Sequence, residues 1–118
     1  MPVWQKAHKL AIEVFNITVD LPRSEDYGLT SQIRRSSNGV AGNIAEGFGR
    51  KTNKDKSNFY IIARGSAFET IDHLICAYDE QIINSDTCDI IKSDINNFLK
   101  ILNGYISYLK KAKDSSKS

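Results

Sequence analysis

Between Ile91 and Leu109 the residues Ile91, Ile95, Phe98, Leu102, Tyr105 and Leu109 stand 4, 3, 4, 3 and 4 positions apart. This is a heptad seam, the period of a helix that buries one side against other helices. A strand alternates with a period of two and cannot bring these six side chains to one face. Ile90, Leu99 and Ile106 widen the seam towards the broader apolar face of a bundle helix. Ser85 and Asp86 read as its capped start.

A helix of this kind needs partners, and three other segments offer them. The first runs from about Val3 to Val19, with Trp4, Ala7, Ala11, Phe15 and Val19 on one side and Leu10, Val14 and Ile17 beside them. Leu21-Pro22 ends it, because proline disfavours helix in the residue before it. The second covers about Asp26 to Phe48, with Leu29, Ile33, Val40, Ile44 and Phe48 as apolar positions. The third covers about Asp55 to Gln81, with a stripe of Phe59, Ile62, Ala63, Ser66, Thr70, Leu74 and Ala77. Four such helices joined by short turns predict an all-α protein, an antiparallel up-down four-helix bundle. The 118 residues suit one domain and one core. The bundle is expected over residues 1–112, followed by a charged, serine-rich tail, 113–118, expected to be disordered.

The stretch QIRRSSNGVAGNIAEGFGRK, residues 32–51, departs from ordinary helix composition. Gly42 and Gly47 have the spacing of a phosphate-binding loop, but Phe48 stands where that loop needs lysine and no strand precedes it. Nucleotide binding is therefore excluded here. Each glycine inside a helix costs about 0.5–1 kcal/mol relative to alanine, so Gly39 and Gly42 need an offsetting bend or a close helix contact. Ser36, Ser37, Ala41 and Ala45 extend the small surface. A neighbouring helix of the same chain and a second subunit both remain open as its occupant.

Charge is the second signal. The formal net charge is only +2, yet from Ile33 to Arg64 there are seven cations against Glu46 and Asp55, a local net of +5. The positions are Arg34, Arg35, Arg50, Lys51, Lys54, Lys56 and Arg64. An antiparallel pairing about Lys51 would bring residues opposite whose numbers add to about 102. Arg64 would then lie near Asn38, beside Arg34 and Arg35. From Arg35 to Lys51 the helix rises about 24 Å. Two clusters are thus expected, a mid-bundle one (Arg34, Arg35, Arg64) and one at the turn (Arg50, Lys51, Lys54, Lys56). Local ion pairing, with Glu46 to Arg50 at i,i+4 or with Glu69 and Asp72 across helices, is the competing reading for the arginines. Phosphate contact is the favoured reading of the turn cluster, where only Asp55 is close.

No catalytic constellation assembles. His8 and His73 fall on different helices, and Glu69 with His73 lacks the Glu-x-x-His spacing of di-iron bundles. Cys76 and Cys88 form no CxxC pair and are read as incidental thiols. Tyr60, Tyr78, Tyr105 and Tyr108 are at helical spacing, as core or interface residues, and Tyr60 near the basic turn is also a base-stacking candidate. The chain is therefore read as non-enzymatic, with no cofactor and no metal. No signal peptide or membrane span is expected, because Trp4, Gln5, Lys6 and His8 interrupt any opening apolar run. A cytoplasmic location with reduced thiols follows as the expectation.

Taken together, Gln32-Ile33-Arg34-Arg35, Asn43-Ile44-Ala45-Glu46-Gly47-Phe48-Gly49-Arg50 and Ala63-Arg64-Gly65-Ser66 resemble the four-helix-bundle proteins encoded within bacterial 23S rRNA intervening sequences. That family is also called ribosomal protein S23-like. Val3-Trp4-Gln5-Lys6-Ala7 and Leu102-Asn103-Gly104 extend the likeness to about residues 3–111. The family includes accessory proteins of diversity-generating retroelements, which form barrel-like homopentamers and associate with a reverse transcriptase and nucleic acid. The resemblance thus implies a homo-oligomer, a pentamer by analogy, and favours a subunit contact at the small surface. The family's proline shortly before NIAEG is replaced here by Asn38-Gly39-Val40-Ala41-Gly42, whose glycines are expected to keep a bend by flexibility.

The expected function is a non-enzymatic, oligomeric nucleic-acid-binding accessory protein. RNA is preferred over DNA, and the seven cations contact phosphate. The alternative is a structural hub whose oligomer docks a partner protein such as a reverse transcriptase or another polymerase.

Overall fold

In the computed structural model, which describes residues 2–21 and 28–112, four helices account for nearly all of the described residues. They are α1 (Pro2–Thr18), α2 (Leu29–Phe48), α3 (Asn53–Asp79) and α4 (Ser85–Lys111). The expected start of α2 at Asp26 and the tail 113–118 lie outside the described residues. Each helix packs on the next and α1 closes the square against α4. The result is an antiparallel bundle 54 Å long and 24 × 19 Å in section.

The turns have identifiable causes. Thr52 caps α3 by accepting from the Asp55 N–H at 3.1 Å, and the chain leaves α3 after Asp79 through Glu80 and Gln81, whose φ of 63° is left-handed. The cap of α4 is Asn84, which accepts from the Thr87 N–H at 2.8 Å. That corrects the expectation of Ser85 and Asp86, one position late for an N-cap whose own backbone must be extended.

The α4 seam is the main wall of the core. Ile91, Ile95, Phe98, Leu102 and Leu109 are buried, Tyr105 is half-buried, and Leu99 and Ile106 join them. Ile90 does not, and is exposed. In α1 the buried side is Val3, Ala7, Leu10, Ala11, Val14 and Thr18, so Phe15 and Val19 turn outward. Phe48 and Ile62 are likewise exposed rather than core.

The largest helix contact, α2 against α3, is made by small side chains. Ser36 and Thr70 are buried, and Thr70 donates to Ser36 Oγ at 2.9 Å. A Cβ at Gly39 would sit 3.3 Å from Ser66 Oγ. At Gly47 it would sit 2.8 Å from Tyr60 Cε1 and 3.0 Å from Phe59 Cβ. Tyr60 is fully buried, its ring 5.3 Å from that of Tyr105, and its hydroxyl is pushed up to about 12, first by burial and then by Tyr105. The small stretch is therefore filled from within the chain at Ser36, Gly39 and Gly47. At Gly42 nothing lies within 4 Å.

The α1–α4 seam is looser. Lys6, Lys9, Leu10, Glu13, Asp94, Asn97 and Phe98 line a cavity of about 110 Å³ there. Partial burial raises the Glu13 carboxyl from its ordinary 4.5, and a hydrogen bond and repulsion from Asp94 raise it further, against Lys9. A carboxyl raised on folding stabilises the protein below its unfolded value, and that contribution is lost as pH rises through the folded value.

Two predictions follow from this packing. Gly47→Ala should lower unfolding free energy by about 1–3 kcal/mol, because Tyr60 has no room to yield. Gly42→Ala, in open space, should raise it by about 0.5–1 kcal/mol; urea titrations of both variants check the contrast. Glu13→Gln should raise the melting temperature at pH 7 and reduce the loss of stability between about pH 4.5 and neutrality. Thermal melts across that pH range would show an unchanged slope if the carboxyl pair is not responsible.

Candidate nucleic-acid interface

The α2–α3 turn is set by its own backbone and by two of its cations. Gly49 N–H donates to Ala45 O and Arg50 N–H to Gly47 O, which closes α2. Lys56 Nζ then donates to Phe48 O at 2.8 Å and lies 5.5 Å from the Phe48 ring centre. It thereby satisfies a carbonyl at the negative end of the α2 dipole. Arg50 bonds Glu46 Oε1 at 2.7 Å and covers the Phe59 ring at 4.6 Å. Lys51 and Lys54 are exposed and meet no hydrogen-bond or charge partner among the described residues.

The mid-bundle arginines do not form a cluster. Arg34 donates from Nε to Thr18 Oγ1 at 2.7 Å and lies 4.6 Å over Phe15, so it is fastened to α1. Arg64 reaches the other way, donating to Asn103 Oδ1 of α4 at 3.0 Å. Arg35 is exposed on α2. The expected pairing about Lys51 was several residues off. Gly39 meets Ser66, Ser36 meets Thr70 and Gly47 meets Tyr60, pairs whose numbers add to 105–107. A shift of about four residues brings Arg64 level with Gly42 instead of Asn38, and its position on α3 turns it to α4, where Asn103 accepts its hydrogen bond.

Sequence reading missed what the topology adds at the turn end. Tyr60 touches Tyr105 and Tyr105 stacks near Tyr108, which brings the end of α4 beside the start of α3. Lys110 and Lys111, in the last turn of α4, therefore join the turn cluster. The signal was present, since an up-down bundle must bring these ends together. If the rod is divided near Ala11, Val40, Ser66 and Phe98, the half with the α2–α3 turn holds Lys6, Lys9, Arg50, Lys51, Lys54, Lys56, Arg64, Lys100, Lys110 and Lys111 against Glu46 and Asp55. Its net charge is +8. The other half, among the described residues, holds nine carboxylates against Arg34, Arg35 and Lys92, a net of −6.

Tyr60 cannot stack a base, because it is fully buried. Phe48 and Tyr108, 62% and 64% exposed, are the aromatic groups open to solvent in the basic half. His8 stacks on Trp4 at 4.9 Å, and His73 Nε2 lies 3.7 Å from Glu69 Oε2. His73 lies in the half away from the turn, and His8 lies on α1 in the half that holds it. Among the described residues no group of three or more His, Cys, Asp or Glu is placed to hold a metal ion. No helix among them is long and apolar enough to cross a membrane.

The family model described as 23S rRNA-intervening sequence protein matches residues 1–104. No curated protein matches the chain. Among solved structures, it is similar to a protein with unknown function from the S23 ribosomal protein family of Bacteroides thetaiotaomicron VPI-5482. The two superpose with a TM-score of 0.80 over 88% of this chain and 97% of the other, at 24% identity. At that identity the likeness shows the four-helix fold.

The contacts of Arg34 separate structure from binding. Arg34→Ala should cost about 1–2 kcal/mol of stability through the lost hydrogen bond and ring contact. It should leave nucleic-acid affinity unchanged; paired denaturation and binding titrations check this, and a stable variant with weakened binding would return Arg34 to the interface.

Proposed function

The chain belongs to the 23S rRNA-intervening sequence protein family, and on that premise we propose that it is a non-enzymatic, oligomeric nucleic-acid-binding accessory protein of the cytoplasm. The observation that carries this reading is the net +8 gathered in one half of a chain whose total is +2. A field of that sign, at one end of a rod, attracts phosphate and raises the association rate. Lys51 and Lys54 are free to make the first contacts. Arg50 has donors beyond the one held by Glu46, and Lys56, Lys110 and Lys111 lie at the same end of the bundle.

These are phosphate contacts, so little base specificity is expected. Phe48 and Tyr108 offer faces on which unpaired bases stack, which favours single strands. RNA is the preferred ligand in this reading, in keeping with the rRNA intervening sequence for which the family is called. Assembly is supported by two exposed apolar patches on different helices, Ile12, Phe15 and Val19 at α1 and Ile90 and Ile101 on α4. Ring contacts between subunits use two such different patches.

Titration of labelled single-stranded RNA and DNA across a salt series tests the reading. Replacing Lys51 and Lys54 together by alanine should weaken binding and reduce the log–log salt slope by about 1.4, at roughly 0.7 per phosphate contact on single strands. No binding at low salt, or a slope that does not change, removes the turn from the function.

A further inference from the structure

The outer surface of α3 carries a second heptad seam. Phe68, Ile71, Ile75 and Tyr78 are spaced 3, 4 and 3 apart. Ile71 is half-buried, while Phe68, Ile75 and Tyr78 are 55%, 39% and 46% exposed. The inner face of the same stretch is built mainly from smaller groups, Ala67, Thr70 and Ala77, with Leu74 buried among them and Ile71 packed against the core from its edge. This stretch thus presents three of its five large apolar side chains, Phe68, Ile75 and Tyr78, to solvent, against the usual amphipathic arrangement. One flank of the seam faces the core through Ala67 and Leu74. The other carries Asp72 and Asp79, seven residues apart, in the flanking positions that select coiled-coil partners by charge. Asp79, Glu80 and Asp72 also act on the nearby Cys76 thiol, whose value is raised first by desolvation and then by these carboxylates.

We propose that the Phe68–Tyr78 face of α3 docks a basic amphipathic helix of another protein, with apolar residues in heptad spacing and Lys or Arg seven apart alongside Asp72 and Asp79. Helix against exposed seam is a standard recognition mode, in which the apolar anchors give affinity and the flanking charges select the partner. A second copy of this chain does not fit the charges. Within its four helices no two Lys or Arg residues are seven apart, and beside its exposed stripe on α1 the single cation Lys9 is followed one heptad later by the neutral Asn16. The face lies in the half of net −6, away from the α2–α3 turn, so the inference stands independently of the nucleic-acid reading.

The test uses a synthetic three-heptad peptide with leucine at both seam positions and lysine at the flanking ones, and the same peptide with glutamate for lysine. Fluorescence anisotropy against the full chain should show binding of the lysine peptide and none of the glutamate peptide. Phe68→Ser with Ile75→Ser should weaken that binding about tenfold or more. Asp72→Asn with Asp79→Asn should weaken it several-fold and flatten its salt dependence. Because the four positions are exposed, both variants should keep the parent's far-UV spectrum; should the serine pair not fold, the asparagine pair carries the test. Equal binding of the two peptides overturns the proposal, as does an affinity that neither pair of substitutions changes. Sedimentation showing a self-associated species that the serine pair dissolves assigns the face to a second copy and overturns it as well.

Discussion

The contact of the Tyr60 ring with the backbone of α2 at Gly47 fixes most of what surrounds it. A side chain at position 47 would meet that ring at 2.8 Å, so the two helices approach as closely as they do because one residue has no Cβ. Further along the same interface Gly39 against Ser66 and Ser36 against Thr70 keep the spacing narrow. Helices packed this tightly can place only small groups between them. Phe68, Ile75 and Tyr78 of α3 lie outward, while Tyr60 and Leu74 stay buried. Tyr60 also reaches Tyr105, so the same ring ties the end of α4 to the turn and gathers the lysines there.

Much of the fold was legible because α4 obeys one rule along its whole length. Its seam is large, apolar and single, and Ile91 to Leu109 pack as the spacing requires. Where apolar residues occupy two sides, reading by size fails. Periodicity puts Phe15 of α1, Val19 just after it, Phe48 of α2 and Ile62 of α3 in the core, yet all four are exposed, while Thr18, Ser37 and Ser57 are buried. Hydroxyl groups can take those places because a helix carbonyl is within reach: Thr18 donates to Val14 O at 2.9 Å and Ser37 to Arg34 O at 3.1 Å. Sequence periodicity contains no term for such satisfaction.

The candidate interface was legible as a composition and not as a geometry. The cations around the turn are local in sequence, and they remain together in space. Arg34 and Arg64 sit on helix faces turned to different neighbours, and they reach Thr18 and Asn103. Lys110 and Lys111 are distant in sequence from the turn, and topology alone returns them to it. Local charge is therefore a reliable guide to a turn and a poor one to a helix face.

The lengthwise separation of charge acts on how the molecule moves as well as on what it binds. Its ends are 54 Å apart, several Debye lengths at physiological salt, where that length is about 8 Å. The acidic end consequently does little to cancel the field of the basic one. A nearby polyanion exerts a torque, drawing the basic end forward and pushing the acidic end back, so the rod arrives standing rather than lying. Its footprint is then set by the 24 × 19 Å section and not by its length. On a duplex, with one charge per roughly 1.7 Å of axis, 24 Å corresponds to about 14 phosphates, and neighbouring molecules can crowd along a strand with their acidic ends held away from it.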